Sequence, residues 1–357
     1  MPPGGPVPPI EDRRYGKNRC DGKWPRKFFS RNVRVIFDSR IIATMDHPLV
    51  FEPLFMERIW GGRRIESLLG KRLPPSVRIG ESWELVDRVE AQSVVHDGPF
   101  RGWTLHELWI ERRAQIFGIG LPETKRFPLL CKILDAQERL SVQVHPPAEV
   151  APRLGGEPKT EMWYLLDASL DSDLYAGLRR GVDRQSFERA LHEGHVAEKI
   201  HSFPIKAGDA MFIPSGRVHA IGAGNLIVEV QQNSDTTYRV FDWNRFGLDG
   251  KPRELHVTES MSSINFNDVE PGIVEADGEV LVECTEFCVE RWKLDQPRTS
   301  DGSNFAIFTV TDGRVECAGR AFDRGAFFLM TASSIDREVR PLTPNAAVLR
   351  TTIPVNS

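Results

Sequence analysis

The sequence has few cysteines and no long apolar run. Its five cysteines are scattered and form no C-x-x-C pair: Cys20, Cys131, Cys284, Cys288 and Cys317. Such a set does not suggest the disulfide framework of a secreted domain, so we expect a reducing, cytoplasmic location. No apolar stretch approaches the about 20 residues that a membrane helix needs, and no unbroken apolar leader occurs near the N-terminus. We therefore expect no membrane partner.

The sequence also lacks a strong charge of either sign. The formal net charge is -4 over 357 residues, which gives no reason to expect a nucleic-acid partner. Hydrophobic residues make up 40% of the chain and charged residues 27%, as in a soluble globular protein with a real core. The length predicts about two domains. Both a monomer and a homodimer remain open.

Residues 1–44 differ from the rest of the chain. They open with the Pro/Gly string MPPGGPVPPIEDRR and continue with many Lys and Arg residues and little apolar periodicity. One interpretation is a disordered basic arm that contacts an acidic partner. The other is a non-native extension in front of a natural start at Met45. We predict a disordered or non-native extension for this segment.

Two helices are predicted in the chain after residue 44. The first lies near 103–118, where Thr104 can be the N-cap and Gly118 the stop. The second lies near 183–200, with Asp183 as N-cap and Gly194 as the C-terminal break. We expect these segments to form a small helical insertion in a β fold.

Most other segments predict short strands. Apolar stretches such as LSVQVH, MWYLLD, DAMFIP and NLIVEVQQ alternate with Gly, Pro, Asp and Asn, which is typical of a jelly-roll sandwich or barrel. A later stretch, AFDRGAFFLMTASSIDREVRPLTPNAAVL, weakly repeats IKAGDAMFIPSGRVHAIGAGNLIVEV but has no histidine at the position of His219. We therefore predict a mainly β protein with a catalytic domain at 45–270 and a second, metal-free β domain at 271–357.

A candidate metal site comes from two segments of the first β domain. Gly208 to His219 matches G-x5-P-x-G-x2-H, the second motif of the cupin barrels. In LSVQVHP, Gln143 and His145 are two apart and share one strand face, and Glu161 follows sixteen residues after His145. Two imidazoles, a carboxylate and an amide oxygen leave coordination positions open, as a catalytic metal requires.

The spacing between His145 and Glu161 is longer than in an ordinary cupin, and it resembles the type I phosphomannose isomerases. The resemblance extends from Met45 to about Phe266, and its segments are similar to the shorter bacterial branch: ERIWGG, GESWELVD, FPLLCKILDAQERLSVQVHP, KTEMWYLL, IPSGRVHAIG and VEVQQNSDTTYRVFDW. It implies a zinc-dependent isomerase that interconverts mannose 6-phosphate and fructose 6-phosphate through a cis-enediol. It further implies one Zn²⁺ per chain, held by Gln143, His145, Glu161 and His219.

The same resemblance implies that Arg239, Lys132 and Lys159 line the substrate pocket. The isomerisation develops an oxyanion, which zinc and Arg239 can stabilise. Lys159 is two residues before Glu161 and is expected on the same strand face, whereas Lys132 lies on a segment that could form the strand next to Gln143. Either lysine could act in proton transfer, and the general base stays open.

Three further residues are candidate substrate-binding groups. Ser141 shares a strand face with Gln143 and could bind phosphate, Glu229 could enter the pocket as a second carboxylate, and Asp235 precedes Arg239 in a predicted loop. Two alternatives remain. An Fe²⁺ oxygenase would explain the metal ligands but not the lysines and Arg239. A non-catalytic sugar-binding or regulatory cupin would bind its ligand without turnover.

Overall fold

The computed structural model describes residues 47–355, and the predicted N-terminal extension at residues 1–44 lies outside them. The described chain is mainly β. None of its helices is long and apolar enough to cross a membrane. The strands before residue 242 are β1 (Leu54–Gly62), β2 (Ile79–Leu85), β3 (Asp87–Arg88), β4 (Ala91–Gln92), β5 (Leu129–Ala136), β6 (Val142–Val144), β7 (Glu161–Ala168), β8 (Asp173–Leu178), β9 (Ile200–Pro204), β10 (Ala210–Ile213), β11 (His219–Ile221), β12 (Asn225–Gln232) and β13 (Tyr238–Phe241).

The remaining strands belong to the C-terminal part of the chain. They are β14 (Val280–Glu283), β15 (Cys288–Leu294), β16 (Arg298–Thr299), β17 (Ala306–Asp312), β18 (Arg314–Cys317), β19 (Arg320–Asp323), β20 (Phe327–Met330), β21 (Glu338–Pro341) and β22 (Ala346–Thr352). The helices are α1 (Arg64–Ser67), α2 (Leu105–Glu111), α3 (Arg113–Ile116), α4 (Arg184–His192) and α5 (Val257–Ser263), with short 3-10 helices at Ala151–Leu154 and Val196–Lys199.

The larger strands form four antiparallel sheets. The first sheet has the order β1-β2-β5-β12-β7-β10, and the second has the order β13-β6-β11-β8-β9. The third sheet is β14-β15-β22-β17-β20, and the fourth is β16-β21-β18-β19. The first and second sheets carry the candidate site residues between them. The third and fourth sheets are built from strands after residue 279.

Strand β5, in the middle of the first sheet, is buried along its whole length because both of its faces are covered. On β5, Cys131 and Ile133 belong to the largest hydrophobic cluster, which also contains Val289 and Leu349 of the third sheet. The residue between them, Lys132, faces a cavity on the opposite side. Strand alternation therefore places one face against the C-terminal sheet and the other face in the barrel.

The second sheet is covered on its outer face by helix. Val142 and Val144 of β6 pack with Phe187 of α4 and Val196 of the neighbouring 3-10 helix. Because side chains alternate along a strand, Gln143 between the two valines faces inward. Apolar packing on the outside thus fixes the direction of a polar side chain on the inside.

Both predicted helical segments contain helix, and both are interrupted. Thr104 caps α2 through a capping box with Glu107, but Arg112 (φ -126°, ψ 20°) separates α2 from α3, so residues 103–118 do not form one continuous helix. Asp183 caps α4 by accepting a hydrogen bond from the Ser186 N–H. Gly194, at φ +79°, follows the end of α4.

Candidate metal centre and active-site cavity

The four predicted metal ligands come from three strands and one strand end. His219 begins β11 and pairs directly with Gln143 of β6, so their side chains are neighbours on one sheet face. His145 follows the last residue of β6. Glu161 begins β7 in the first sheet, on the other side of the barrel. The two sheets therefore bring these residues together, although they are far apart in the sequence.

The ligand atoms converge in the barrel interior. His145 Nε2 lies 3.5 Å from Glu161 Oε1, and His219 Nε2 lies 3.4 Å from the same oxygen. The Gln143 side-chain nitrogen lies 3.2 Å from His219 Nε2, so a half-turn of the amide would present its oxygen there. One ligand atom from each of His145, Glu161 and His219 lies within 4.8 Å of the others, and all three side chains are buried.

Hydrogen bonds determine which nitrogen of each imidazole is free. His145 Nδ1 lies 2.8 Å from the Thr236 carbonyl oxygen, and His219 Nδ1 lies 2.9 Å from that of Arg217. A carbonyl oxygen can only accept a hydrogen bond, so each Nδ1 carries the proton and donates it. Each Nε2 therefore keeps its lone pair. Within the described residues, His145 Nε2 and Glu161 Oε1 are buried without a hydrogen-bond partner. Unpaired buried acceptors are costly, and a cation between them would remove that cost.

The ionisation of these groups also suits metal binding. Burial, reinforced by the Lys159 charge, lowers the pKa of His145 to about 4, and burial lowers the pKa of His219 as well. Burial works against ionisation of Glu161, but Lys159 holds the pKa of that carboxyl well below its usual value. Two neutral imidazoles and one carboxylate are the protonation states in which these side chains bind metals.

Next to the ligands is a cavity of about 400 Å³ between the first and second sheets. Every residue predicted to be catalytic or substrate-binding lines this cavity, together with one predicted metal ligand. They are Lys132, Ser141, Gln143, Lys159, Glu229, Asp235 and Arg239. The residues implied by the resemblance therefore share one site in space, and their individual roles stay predictions.

One wall of the cavity is a buried charged network on the first sheet. Lys132 Nζ lies 3.1 Å from Glu229 Oε1 and 4.0 Å from Glu81 Oε2. Glu229 also accepts a 2.9 Å hydrogen bond from Trp163 Nε1. Burial opposes ionisation of Glu81, but the charges of Lys132 and Arg58 lower its pKa to about 2. The network therefore holds the Glu81 carboxylate in the charged state inside the barrel.

The position of each lysine differs in one respect from the sequence-based expectation. β5, which carries Lys132, pairs with β2 and β12 and not with β6, so Lys132 is not on the strand next to Gln143. Lys159 precedes β7 and does not lie on that strand. Its ammonium nevertheless lies 2.8 Å from Glu161 Oε2, and this ion pair outweighs burial and raises the pKa of Lys159.

The opposite wall is formed by the second sheet and the loops at its edge. Arg239 on β13 pairs directly with Gln143, and its Nη1 donates a 2.7 Å hydrogen bond to the Glu254 carbonyl. Ser141 is buried just before β6, whereas Asp235 is exposed in the loop before β13. Ser141 and Asp235 thus lie in the floor and the mouth of the cavity, respectively.

Sequence reasoning missed three charged residues that line the same cavity: Arg58, Glu81 and Arg253. Arg58 Nε donates a 2.8 Å hydrogen bond to Glu81 Oε1. The sequence did contain a signal for Glu81. The segment GESWELVD is predicted as a strand, and Glu81 and Trp83, two residues apart, share one face of it. No comparable local pattern marks Arg253.

The fold and the side-chain cluster define a mainly β protein of the cupin-like kind with a His–Glu–His group that could hold a metal ion. Residues 49–198 match the family model of the phosphomannose isomerase type I catalytic domain. The chain is 41% identical over 276 residues to mannose-6-phosphate isomerase ManA of Bacillus subtilis (strain 168), covering 74% of this chain and 86% of that protein. This chain belongs to the type I phosphomannose isomerase family.

Solved structures agree with this assignment. The crystal structure of mannose 6-phosphate isomerase from Bacillus subtilis superposes with a TM-score of 0.76 at 30% identity, covering 86% of this chain and 99% of that one. A structure of mannose 6-phosphate isomerase bound with zinc and yttrium has the same fold, with a TM-score of 0.66 at 14% identity, covering 86% and 99% of the two chains.

Proposed function

We propose that this protein is a zinc-dependent mannose-6-phosphate isomerase that interconverts mannose 6-phosphate and fructose 6-phosphate. One observation carries the proposal: the lone pairs of His145 and His219 and the carboxylate of Glu161 converge beside a cavity lined by Lys132 and Arg239. Membership of the family supports the same reaction.

The proposed zinc ligands are Gln143, His145, Glu161 and His219, with one ion per chain. The chemistry of the donors supports zinc, which takes imidazole nitrogen and carboxylate oxygen in catalytic sites. Zinc would supply a Lewis acid that stabilises negative charge on the sugar oxygens. The Thr236 and Arg217 carbonyls hold both imidazole rings in the tautomer that presents Nε2 to the site.

Isomerisation moves a proton from carbon 2 to carbon 1 through a cis-enediol, while the hydroxyl proton of oxygen 2 passes to oxygen 1. We assign the carbon proton to the Lys132–Glu229 pair, because its carboxylate can accept a proton and its ammonium stabilises that carboxylate from 3.1 Å. Lys159 lines the cavity with its ammonium 2.8 Å from Glu161 Oε2, and we assign it to donate a proton to a sugar oxygen. Arg239 then stabilises the developing oxyanion from the opposite wall.

Substrate-binding roles remain for the other cavity residues. Ser141 offers a buried hydroxyl near Gln143, and Asp235 offers an exposed carboxylate that can accept a sugar hydroxyl. The proposed partner is the sugar phosphate alone, with the protein a monomer or a homodimer in the cytoplasm. We further propose that the catalytic cupin domain ends near residue 270 and that residues 271–357 form a second, metal-free cupin-like domain. The third and fourth sheets support this division.

The test is fructose 6-phosphate formation from mannose 6-phosphate by wild type and by Glu229→Gln. We expect wild-type turnover and a loss of about 100- to 10,000-fold in kcat for Glu229→Gln, as for removal of a general base. Glu198→Gln is the matched control, because Glu198 is exposed and lies outside the cavity. Calorimetry with mannose 6-phosphate should show that both variants still bind it.

Two results would favour one of the alternatives to an isomerase, which are a sugar-binding cupin and an Fe²⁺ oxygenase. Tight binding of mannose 6-phosphate by wild type without turnover would contradict the isomerase and indicate a sugar-binding cupin. Oxygen uptake by iron-loaded protein would indicate an oxygenase.

A further inference from the structure

Most charges in the cavity are balanced by a neighbour of opposite sign. On the first-sheet wall, Lys132 and Arg58 face Glu229 and Glu81. Near the metal ligands, Lys159 pairs with Glu161. These regions already have their counter-charges, so neither has an excess positive charge for a dianionic group.

The second-sheet wall is different, because three arginines surround one buried carboxylate. Asp242 accepts a 3.0 Å hydrogen bond from Arg245 Nε and a 2.7 Å hydrogen bond from Arg253 Nε. Arg239 forms no salt bridge within the described residues, and the carboxylate that follows Arg253 in the chain, Glu254, is exposed. Arg239 and Arg253 line the cavity, whereas Arg245 does not. Within residues 47–355, Asp242 is the one carboxylate bonded to any of these three arginines, so this end of the cavity has an excess of positive charge.

Arg253 lies farther from the proposed metal ligands than Arg239 does. His219, Gln143 and Arg239 occupy one row across three adjacent strands, and strands are spaced about 4.8 Å apart. His256 N donates a 2.8 Å hydrogen bond to the Arg239 carbonyl, so the segment that follows Arg253 runs along the free edge of β13. Arg253 is thus placed beyond Arg239, on the side away from His219. We place carbons 1 and 2 of the substrate near the proposed metal ligands, which leaves this end of the cavity for carbon 6 and its phosphate.

We propose that Arg253, held in place by Asp242, binds the phosphate group of the substrate and makes the site selective for phosphorylated sugars. The inference rests on the proposed function and extends it. Asp242 contacts Arg253 through Nε and Nη2, and Nη1 has no hydrogen-bond partner in the described part of the chain. A guanidinium fixed on one edge in this way can present its remaining N–H groups to a phosphate.

The electrostatics of Arg239 agree with an anion at this place. Burial, and then the like charge of Arg253, lower the pKa of Arg239. Arg239 Nε is also buried without a hydrogen-bond partner in the described residues. A phosphate bound by Arg253 would offset this repulsion.

The experiment compares Arg253→Met with Arg245→Met, since both arginines bond Asp242 but only Arg253 lines the cavity. We expect Arg253→Met to weaken inorganic phosphate binding, measured by calorimetry, by about 10- to 100-fold. Its kcat/KM for mannose 6-phosphate should fall by a similar factor, mainly through KM. Arg245→Met should stay near wild type in both measurements. Arg253→Lys, which keeps the charge, should lie between wild type and Arg253→Met.

Two outcomes would overturn the inference. One is phosphate binding by Arg253→Met equal to that of Arg245→Met. The other is a fall in kcat with unchanged phosphate binding, which would indicate a structural role. Calorimetry with inorganic phosphate needs no turnover. Wild type that binds phosphate through Arg253 but does not isomerise mannose 6-phosphate would therefore contradict the proposed function and leave the phosphate site standing.

Discussion

At the scale of single residues, Arg239 lies next to the proposed metal ligand Gln143, and within residues 47–355 its charge forms no salt bridge with a carboxylate. It lies directly across from Gln143 and its guanidinium lines the cavity. We expect Arg239→Ala to keep its zinc and its fold but to lose about 100- to 1000-fold in kcat, the effect of removing a donor to a developing oxyanion. Kinetics and zinc analysis would be run beside Arg180→Ala, whose side chain is 85% exposed. A near wild-type rate for Arg239→Ala would refute this role.

The lowered pKa of Glu81 makes the free energy of unfolding depend on pH in the acid range. Its pKa in the folded protein is about 2, below the ordinary 4.5, because Lys132 and Arg58 outweigh the effect of burial. A lowered carboxyl pKa stabilises the fold above pH 4.5, and this contribution disappears as the pH falls to about 2. We expect Glu81→Gln to lower the free energy of unfolding by about 3 kcal/mol at neutral pH.

The measurement is urea unfolding of wild type and Glu81→Gln from pH 7 downward. The difference between them should narrow steadily below pH 4.5, whereas the exposed control Glu198→Gln should follow wild type throughout. A difference that does not change with pH would show that Glu81 acts only through packing.

The convergence of His145, Glu161 and His219 could be predicted from the sequence because local patterns mark these residues, and their role as metal ligands stays a prediction. The G-x5-P-x-G-x2-H motif identifies His219, and alternation along β6 pairs Gln143 with His145. Arg253 and Glu81 could not be assigned roles in this way. Their partners lie eleven and more residues away, on segments that meet only when the sheets form: Asp242 for Arg253, and Arg58 with Lys132 for Glu81.

At the scale of elements, the capping box of α2 is a local feature with a measurable energy. The Thr104 hydroxyl accepts from the Glu107 N–H, and the Glu107 carboxylate accepts from the Thr104 N–H. Thr104→Ala should lower the free energy of unfolding by about 1 kcal/mol. Activity should be unchanged, because α2 does not line the cavity. Thr104→Ser keeps the hydroxyl and should be near wild type, and equal stability of the Ala and Ser variants would contradict the role of the cap.

Helix ends were predictable because capping depends on neighbours three residues away, as at Thr104 and Asp183. Strand partners were not. The chain passes directly from β5 to β6, yet these strands belong to different sheets, and Lys132 faces Gln143 across the cavity instead of beside it. Sheet order depends on the packing of distant segments, and a single sequence does not reveal it.

At the scale of the whole molecule, one hydrophobic cluster joins the two halves of the described chain. Phe117 and Phe127 contact Phe305 edge-on, with ring centroids 5.3 and 5.6 Å apart. Val230 of the first sheet and Leu349 of the third sheet belong to the same cluster. The C-terminal sheet thus covers the outer face of the sheet that carries Glu161, Lys132 and Glu229. Continuous apolar packing on the outer face of the first sheet helps to hold these polar side chains in position on its inner face.

The most direct test of the account is fructose 6-phosphate formation from mannose 6-phosphate, measured on the purified protein before and after chelation and again after zinc is restored. Because two buried imidazoles and a buried carboxylate converge beside the cavity, we predict that turnover is lost with the metal and returns with zinc. Turnover that persists in protein shown to be free of metal would contradict the central claim. So would the absence of turnover in protein that holds one zinc ion per chain.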